Sequence, residues 1–279
     1  MNRTTNWLCS MAMRRGVTIA TGSDKPLHLA PSVASVITAE QIKAMGATTL
    51  DHVLERVPGL HVAYSFNRLN SIWSIRGIHA DTNPQVLFMV NGMRITDGTT
   101  GSRPPSFSMP VENIARVEVV RGPGSAIYGA DAFAGVVNVI TKGYEGYNGL
   151  TLGARTDTID SRETWIQTGK QLGDWNAAFS LEWQQRDGDS SRVVDADLQT
   201  FLDTTFALVP PASNAPGTLD TTSDVINTSL NLSNGGLKLG FWGWLQRDWW
   251  SAPVLRAHST TRGTPKSTAT PSTSNMEKL

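Results

Sequence analysis

Long stretches of alternating apolar and polar residues in the second half of the chain restrict its fold more than any other feature. From residue 175 to residue 184, apolar side chains, most of them large, occupy every second position and mostly polar side chains lie between them. A similar pattern recurs over 226–233, with Thr228 at one of the apolar positions. A period of two is that of a β-strand, and one apolar face opposite one polar face is typical of strands that separate lipid from a water-lined interior. The sequence predicts five strands, at 149–155, 163–171, 175–184, 226–233 and 237–247. The last is the least regular, because Trp242 and Trp244 fall on its polar side.

The connections between these strands alternate in length. The segments 156–162 and 187–224 are long, whereas Gly173-Asp174 and 234–236 are tight turns. Outer-membrane barrels have short periplasmic turns and longer external loops. A soluble antiparallel sheet would also alternate, but strand length, Trp placement and loop asymmetry favour the membrane interpretation. No window has the roughly 18 consecutive apolar residues of a membrane helix.

Composition excludes several classes of protein. The 279 residues carry 24 Lys plus Arg and 24 Asp plus Glu, without a one-signed cluster, so we expect no nucleic-acid partner. A single cysteine, Cys9, excludes a disulfide framework and a cysteine zinc site. Residues 1–16 lack the apolar stretch of a secretory signal.

The first half has the pattern of a small α/β domain. Thr38 and Gln41 form a capping-box pattern for a helix that Gly46 ends, and apolar positions from Leu50 to Val57 predict a second helix that stops before Pro58. Short β-branched runs predict strands at 72–76, 86–90, 116–120 and 136–141. Asn91-Gly92 predicts a tight hairpin turn from 86–90 into 93–96.

Three segments of this half resemble the plug domain of the TonB-dependent outer-membrane receptors. They are residues 31–60, the SIRG at 74–77, and VLFMVNGMRI through IARVEVVRGPGSAIYGADAFAGVVNVITK, which ends at Lys142. Their order and spacing match the family across roughly residues 17–145. The resemblance implies a plug that blocks a barrel of about 22 strands, which needs on the order of 400 residues after the plug. Far fewer follow here, so we expect an N-terminal fragment.

The expected fold is therefore an α+β plug domain followed by an incomplete antiparallel transmembrane β-barrel of about five strands. We divide the chain into a leader with a candidate TonB box (1–24), a plug domain (25–145), the start of the barrel (146–251) and a disordered or frame-shifted tail (252–279).

Two sets of residues follow from the resemblance by position. The segment VTIAT lies where the family carries the TonB box, and β-branched residues in a leader suit strand addition to an energising partner; an ordinary linker is the alternative. Its residues are Val17, Thr18, Ile19, Ala20 and Thr21. Arg76, Glu118 and Arg121 occupy positions that the family uses to lock plug to barrel wall, with solvated surface pairs as the alternative.

The Gly-rich stretch after Arg121 does not match a phosphate-binding loop, because no third glycine stands at Ile127 and no Lys-Ser or Lys-Thr pair follows. We instead assign tight plug turns to Gly77, Gly92, Gly122, Pro123, Gly124 and Gly129.

Ligand contacts are expected from outward-facing plug loops at 64–70 and 97–107. The mixed aromatic and polar groups there fit a chelate, cofactor or glycan, and plain solvated loop is the alternative. The candidate residues are Tyr64, Asn67, Arg68, Arg103 and Phe107. The five histidines show no metal-ligand spacing, and the aspartates of 187–197 fit a solvated acidic loop better than a calcium site. No trio of nucleophile, base and orienting residue is present, so we expect no enzyme and no resident cofactor.

The resemblance implies active uptake of a scarce solute across the outer membrane. The partners would be a small molecule, such as an iron–siderophore chelate, a cobalamin-like cofactor or a glycan, together with outer-membrane lipid and a TonB-type energy-transducing protein. A soluble periplasmic binding module built on a plug and a non-functional gene remnant are the alternatives.

Overall fold

The computed structural model describes residues 16–17, 25–26, 33–64, 70–98, 101–104, 107–147, 149–157, 161–187, 193–207, 211, 213, 215–218 and 222–247. These residues fall into two compact units, the first reaching Gly146 and the second beginning at Tyr147. Among the described helices, none has the length and apolarity needed to cross a membrane.

The first unit combines short strands with short helices. Its strands are β1 (Gly16–Val17), β2 (Lys25–Pro26), β3 (Val33–Thr38), β4 (Leu60–Tyr64), β5 (Ser71–Ile75), β6 (Val86–Val90), β7 (Met93–Arg94), β8 (Ile114–Arg121) and β9 (Gly135–Thr141). Its helices are α1 (Ala39–Ala44), α2 (Leu50–Leu54) and α3 (Ser125–Tyr128). A five-stranded sheet has the order β3-β8-β9-β6-β7, in which only β6 and β9 run parallel. The hairpin β4–β5 is a separate two-stranded sheet, and so is the pair β1–β2.

The core of the first unit lies around β6, β8 and β9. All five residues of β6 are buried, as expected of a continuous apolar run that is covered on both faces. Phe88 of β6 contacts Trp73 of β5 edge-to-face, with 5.5 Å between ring centroids, and lies 5.1 Å from Phe107. Aromatic pairs at these separations add to the stabilisation from burial. The separate hairpin is therefore held to the main sheet through a buried aromatic cluster.

Both predicted helices are present. The Gln41 N–H donates to Thr38 Oγ1 and the Thr38 N–H donates to Gln41 Oε1, which confirms the capping box, and Gly46 has a positive φ of 65°. Helix α2 ends at Leu54, although the buried face continues to Val57. The early end is explained by Pro58, because a proline disfavours helical geometry at the residue before it.

The predicted hairpin turn is also present. Asn91 and Gly92 have φ angles of 51° and 80°, the left-handed values that a two-residue turn of this type requires. Strand β7 after it covers only Met93–Arg94, shorter than the predicted 93–96.

The second unit is built around five long antiparallel strands in the order β10-β11-β12-β15-β16. Its elements are β10 (Leu150–Thr156), β11 (Ser161–Leu172), β12 (Trp175–Arg186), β13 (Val193–Val194), α4 (Leu198–Phe206), β14 (Gly217–Thr218), β15 (Ser223–Asn234) and β16 (Leu237–Arg247). The five strands predicted from the alternation are all present at these positions. The long connection after β12 contains α4 and, on either side of it, the short antiparallel strands β13 and β14.

The two faces of this sheet have the opposite polarity to those of a soluble domain. Leu152, Trp183 and Phe241 are 67%, 42% and 46% exposed, whereas Ser180 and Glu182 on the other face are fully buried. The apolar face forms continuous cross-strand rows, such as Phe179–Leu230–Phe241. Exposed apolar surface of this extent marks contact with lipid or another protein, and the arrangement is that of a membrane strand with a polar interior face.

A chain of side-chain hydrogen bonds crosses four strands on the polar face. Gln167 Nε2 donates to Glu182 Oε1 at 3.2 Å, and Asn227 Nδ2 donates to Glu182 Oε2 at 2.8 Å. The indole N–H of Trp242 donates to Asn227 Oδ1 at 2.8 Å. Trp242 therefore belongs on the polar side because its ring N–H needs an acceptor when it is buried. This explains the irregular alternation of β16.

The two glycines Gly135 and Gly143 provide a matched test of the first unit's packing. A Cβ on Gly135 would lie 2.5 Å from the Val120 carbonyl oxygen and 2.6 Å from Ile75 Cδ1, whereas one on Gly143 would meet nothing within 4 Å. We expect Gly135→Ala to destabilise this unit by about 1–3 kcal/mol, because β8 and β9 must separate. Amide hydrogen exchange of β8 measures the loss. Gly143→Ala should match the wild type, and equal protection in the two variants would contradict the packing described.

Candidate ligand-facing and locking sites

Only the first residue of the candidate TonB box is described. Val17 lies in β1 and pairs with Lys25 of β2. Thr18, Ile19, Ala20 and Thr21 lie outside the described residues. The assignment of this segment to an energising partner thus stays a prediction.

Glu118 lies near the middle of β8, and its side chain is fully buried. Its Oε1 accepts a hydrogen bond from Arg116 Nε at 2.8 Å. Residues two apart on a strand project from the same face, which brings these two side chains together. Arg116 is not among the locking residues predicted from the sequence, although the i, i+2 spacing of opposite charges on one strand face is visible there. A charge-assisted bond of this kind compensates for burying the carboxylate.

Arg121 and Arg76 are placed differently from Glu118. The guanidinium of Arg121 donates from Nη2 to Ser35 Oγ at 3.0 Å and from Nη1 to the Pro58 carbonyl, so it joins β8 to β3 and to the turn before β4. Arg76 is exposed, has a φ of 53°, and donates its backbone N–H to the Gly59 carbonyl. The Arg76 guanidinium lies beside Gly122, since a Cβ there would be 3.8 Å from Arg76 Nη1, and the locking role of the three residues stays a prediction.

The predicted turn residues lie at chain reversals. Four of the five glycines have positive φ angles, which favour glycine: Gly77, Gly92, Gly122 and Gly129. Gly124 does not, and it is instead closely packed, because a Cβ there would lie 2.9 Å from Val136 Cγ2. Pro123 is exposed between Gly122 and Gly124.

The predicted ligand-facing residues divide into exposed and buried groups. Tyr64 ends β4 with 61% of its surface exposed, while Asn67 and Arg68 lie outside the described residues. We expected Arg103 and Phe107 to face solvent as well, but each is only 7% exposed. Phe107 is buried because it packs on Phe88. Arg103 is buried because it stacks on Trp73, which the sequence analysis did not pair with it.

The surroundings of Arg103 are unusual for a cation. The Arg103 Cζ atom lies 3.6 Å from the centroid of the Trp73 ring, Nη2 donates to the carbonyl oxygen of Ser71 and, at 3.0 Å, to Ser71 Oγ, and Nη1 lies 3.5 Å from Asn83 Oδ1. Burial lowers the pKa of Arg103 to about 10, while the negative charge of Asp51 acts in the opposite direction. The guanidinium is therefore still protonated at neutral pH.

Asn83 connects this cluster to β5. Its Oδ1 accepts from the Trp73 N–H at 2.9 Å and its Nδ2 donates to the Trp73 carbonyl at 3.1 Å. The amide side chain thus bonds one residue of β5 as a neighbouring strand would. Trp73 also donates its indole N–H to Asp51 Oδ1 of α2 at 2.7 Å.

In the long connection of the second unit, Asp197 has a structural role. It caps α4 by accepting from the Thr200 N–H at 2.6 Å and from the hydroxyls of Thr200 and Ser213. Partial burial opposes its ionisation, but these hydrogen bonds prevail and lower the pKa of Asp197. Within the described residues, no three His, Cys, Asp or Glu side chains are grouped to hold a metal ion.

Comparison with known proteins defines the class to which this fold belongs. A family model described as TonB-dependent Receptor Plug Domain matches residues 26–136. These residues contain β3 to α3 with the capping box, the hairpin turn and the Glu118 strand described above. The first unit is therefore a plug domain.

Curated relatives extend the match beyond the domain. The chain is 42% identical over 145 residues to a vitamin B12 transporter of Vibrio vulnificus, an alignment that covers 50% of this chain and 23% of the relative. It is 31% identical over 179 residues to a vitamin B12 transporter of Photobacterium profundum, covering 63% of this chain and 28% of that protein. The chain spans about a quarter of the length of these relatives. They are transport proteins rather than enzymes.

Solved structures share the fold at lower identity. The ferric yersiniabactin uptake receptor of Yersinia pestis matches with a TM-score of 0.54 at 21% identity, over 77% of this chain and 31% of that one. The ferripyoverdine receptor of the outer membrane of Pseudomonas aeruginosa matches with a TM-score of 0.58 at 16% identity, over 83% and 27%. The chain thus resembles the TonB-dependent receptors, and the family model itself places residues 26–136 in their plug domain.

The Arg116–Glu118 pair generates a stability prediction. We expect Arg116→Met to destabilise the plug by about 3 kcal/mol, because it leaves the buried Glu118 carboxylate without its guanidinium. The double variant Arg116→Met/Glu118→Leu should recover at least half of that loss, since no charge is then buried. Amide exchange of β8 and β9 reports the free energies, and the exposed Arg56→Met is the control. A double variant as unstable as the single one would show that the loss does not come from an uncompensated Glu118 carboxylate.

Proposed function

We propose that this chain supplies the plug and the first wall strands of a receptor that takes up a scarce solute across the outer membrane. The single observation that carries the proposal is the inverted polarity of the second unit's sheet, which follows a plug domain in the same chain. An apolar exposed face suits lipid, and a polar buried face suits a water-lined interior. A soluble plug-type module would have little use for this arrangement.

A cobalamin-like cofactor is the first ligand to test. Relatives named as vitamin B12 transporters are 42% and 31% identical to this chain over 145 and 179 residues. The solved receptors named for iron chelates support the fold only, because their identity to this chain is 16–21%. An iron–siderophore chelate and a glycan are the other candidates. Tyr64, exposed at the end of β4, is the described side chain best placed to contact ligand, and Asn67 and Arg68 follow it in sequence.

Energy for uptake would come from a TonB-type partner. The segment from Val17 to Thr21 would pair with that protein by strand addition, in which backbone hydrogen bonds extend an existing sheet edge. Exposed Arg76, half-buried Arg121 and buried Glu118 would help fasten the plug inside the complete receptor. These charged contacts would then resist a pull on the leader until ligand binding shifts the equilibrium from the fastened to the released plug.

Binding of cyanocobalamin to the detergent-solubilised chain tests the ligand assignment. We expect saturable binding, which Tyr64→Ala weakens about tenfold by removing an exposed aromatic contact, a change of about 1.4 kcal/mol. Phe133→Ala removes a plug aromatic of similar exposure, 59%, and should bind as the wild type does. A ferric hydroxamate chelate serves as the competing probe. Binding of that chelate and not of cyanocobalamin would show that the ligand is an iron chelate. An equal loss of affinity in Tyr64→Ala and Phe133→Ala would exclude a specific role for Tyr64.

A pair of lysine substitutions on adjacent positions of β15 tests the membrane assignment. Leu230 lies on the apolar face, 37% exposed, and Asn231 lies on the opposite face. Leu230→Lys should weaken partition into lipid vesicles by up to about 2–4 kcal/mol, the cost of a cation near the bilayer centre, while Asn231→Lys should have a much smaller effect. Flotation with vesicles measures both. Wild-type chain that stays in the aqueous fraction without detergent would favour the soluble periplasmic module.

A further inference from the structure

The two plug segments that we expect to face ligand are joined at their bases by one side chain. Tyr64, the last residue of β4, pairs with Ser71, the first residue of β5, so these two residues form the mouth of the connection between the strands. Arg103, from the second segment, donates hydrogen bonds to both the carbonyl oxygen and the hydroxyl of Ser71. The bonds from the second segment therefore reach the residue that directly follows the first one.

Burying the guanidinium of Arg103 costs desolvation free energy, which a purely structural position could avoid with an apolar residue. Its guanidinium is buried, and no carboxylate of the described residues forms an ion pair with it. The cation is compensated by the face of Trp73, by Ser71 and by Asn83, while its Nε finds no acceptor in the described part of the chain. An apolar side chain of similar volume in such a site is often as stable or more so. An apolar side chain has no hydrogen-bond donors. The planar guanidinium has several that point in fixed directions, so it can fix one loop relative to another.

The hairpin to which Arg103 is bonded forms a separate two-stranded sheet. Strands β4 and β5 pair only with each other and lie outside the five-stranded sheet. Side-chain contacts therefore determine where the hairpin sits. At its loop end these are the bonds of Arg103 and Asn83, and at its other end Arg121 donates to the Pro58 carbonyl.

We propose that Arg103 is a positioning residue of the ligand site, whose guanidinium clasps the 101–104 segment to the mouth of the β4–β5 hairpin. The Arg103 clasp consists of Arg103, Ser71, Trp73 and Asn83. It holds Tyr64 in a fixed relation to the second ligand-facing segment, and Arg103 acts through Ser71 and Trp73 without touching ligand. The inference rests on the proposed function, because it assigns a role within that same site.

The clasp predicts that side-chain shape matters as well as charge. Lysine would keep the positive charge but offers one nitrogen in place of two, so it cannot bond Ser71 and Asn83 through separate nitrogens, and it lacks the planar guanidinium that stacks on Trp73. Methionine would keep the apolar packing and lose every donor. Arg103→Lys should therefore fall between the wild type and Arg103→Met in any property that depends on the clasp.

Hydrogen exchange and ligand binding on the solubilised full chain test the proposal together. In Arg103→Met, the amides of residues 71–75 and 101–103 should exchange at least tenfold faster, while those of β8 and β9 keep wild-type rates. The dissociation constant for cyanocobalamin should rise about tenfold. Arg103→Lys should show smaller changes of both kinds, Ser71→Ala should loosen the same amides, and the exposed Arg56→Met should change neither.

Three results would overturn the clasp. One is wild-type exchange at 71–75 and 101–103 in Arg103→Met. Another is equal loosening of β8 and β9, which would make Arg103 a general stabiliser of the plug. The third is local loosening with unchanged cyanocobalamin affinity, which would show that the clasp does not position the site. If the wild-type chain binds no cyanocobalamin, the ligand assignment fails separately, and the same binding comparison is made with the ferric hydroxamate chelate.

Discussion

The second unit depends on satisfying polar groups that its sheet buries. Glu182 is completely buried, and both of its carboxylate oxygens accept hydrogen bonds from amide side chains on neighbouring strands. Burying a carboxylate costs free energy unless the group is hydrogen-bonded. The chain of side-chain hydrogen bonds from Gln167 to Trp242 offsets that cost on the polar face. It also fixes register, because a slip of one residue would turn Glu182 to the apolar face.

The plug combines a five-stranded sheet with a separate two-stranded hairpin. Its central strands β6, β8 and β9 bury nearly every side chain, and Glu118 lies among them with Arg116 as its partner. The β4–β5 hairpin shares no backbone hydrogen bonds of a sheet with them and is held by aromatic packing and by arginines.

Periodic features of the sequence predicted most of the fold. The capping box of Thr38, the Asn91-Gly92 turn and the five long strands depend on spacing that neighbouring residues determine, and all are found. The burial of Arg103 could not be predicted in this way, because its main partners Trp73 and Ser71 are about 30 residues away in sequence. Loop composition suggested a solvated arginine, and only tertiary contact with an aromatic face reverses that expectation.

Arginines carry several of the contacts between elements of the plug because one guanidinium can bond two partners at once. Arg121 reaches Ser35 and the Pro58 carbonyl, while Arg103 reaches Ser71 and stacks on Trp73. Each holds an end of the same hairpin with hydrogen bonds, which can break and re-form without repacking an apolar core. A plug held only by interlocked apolar side chains would need more free energy to move between two arrangements, because close-packed cores resist small displacements. Directional polar contacts at the hairpin ends would therefore suit the uptake proposed above, in which the plug is stable at rest and yields under a pull.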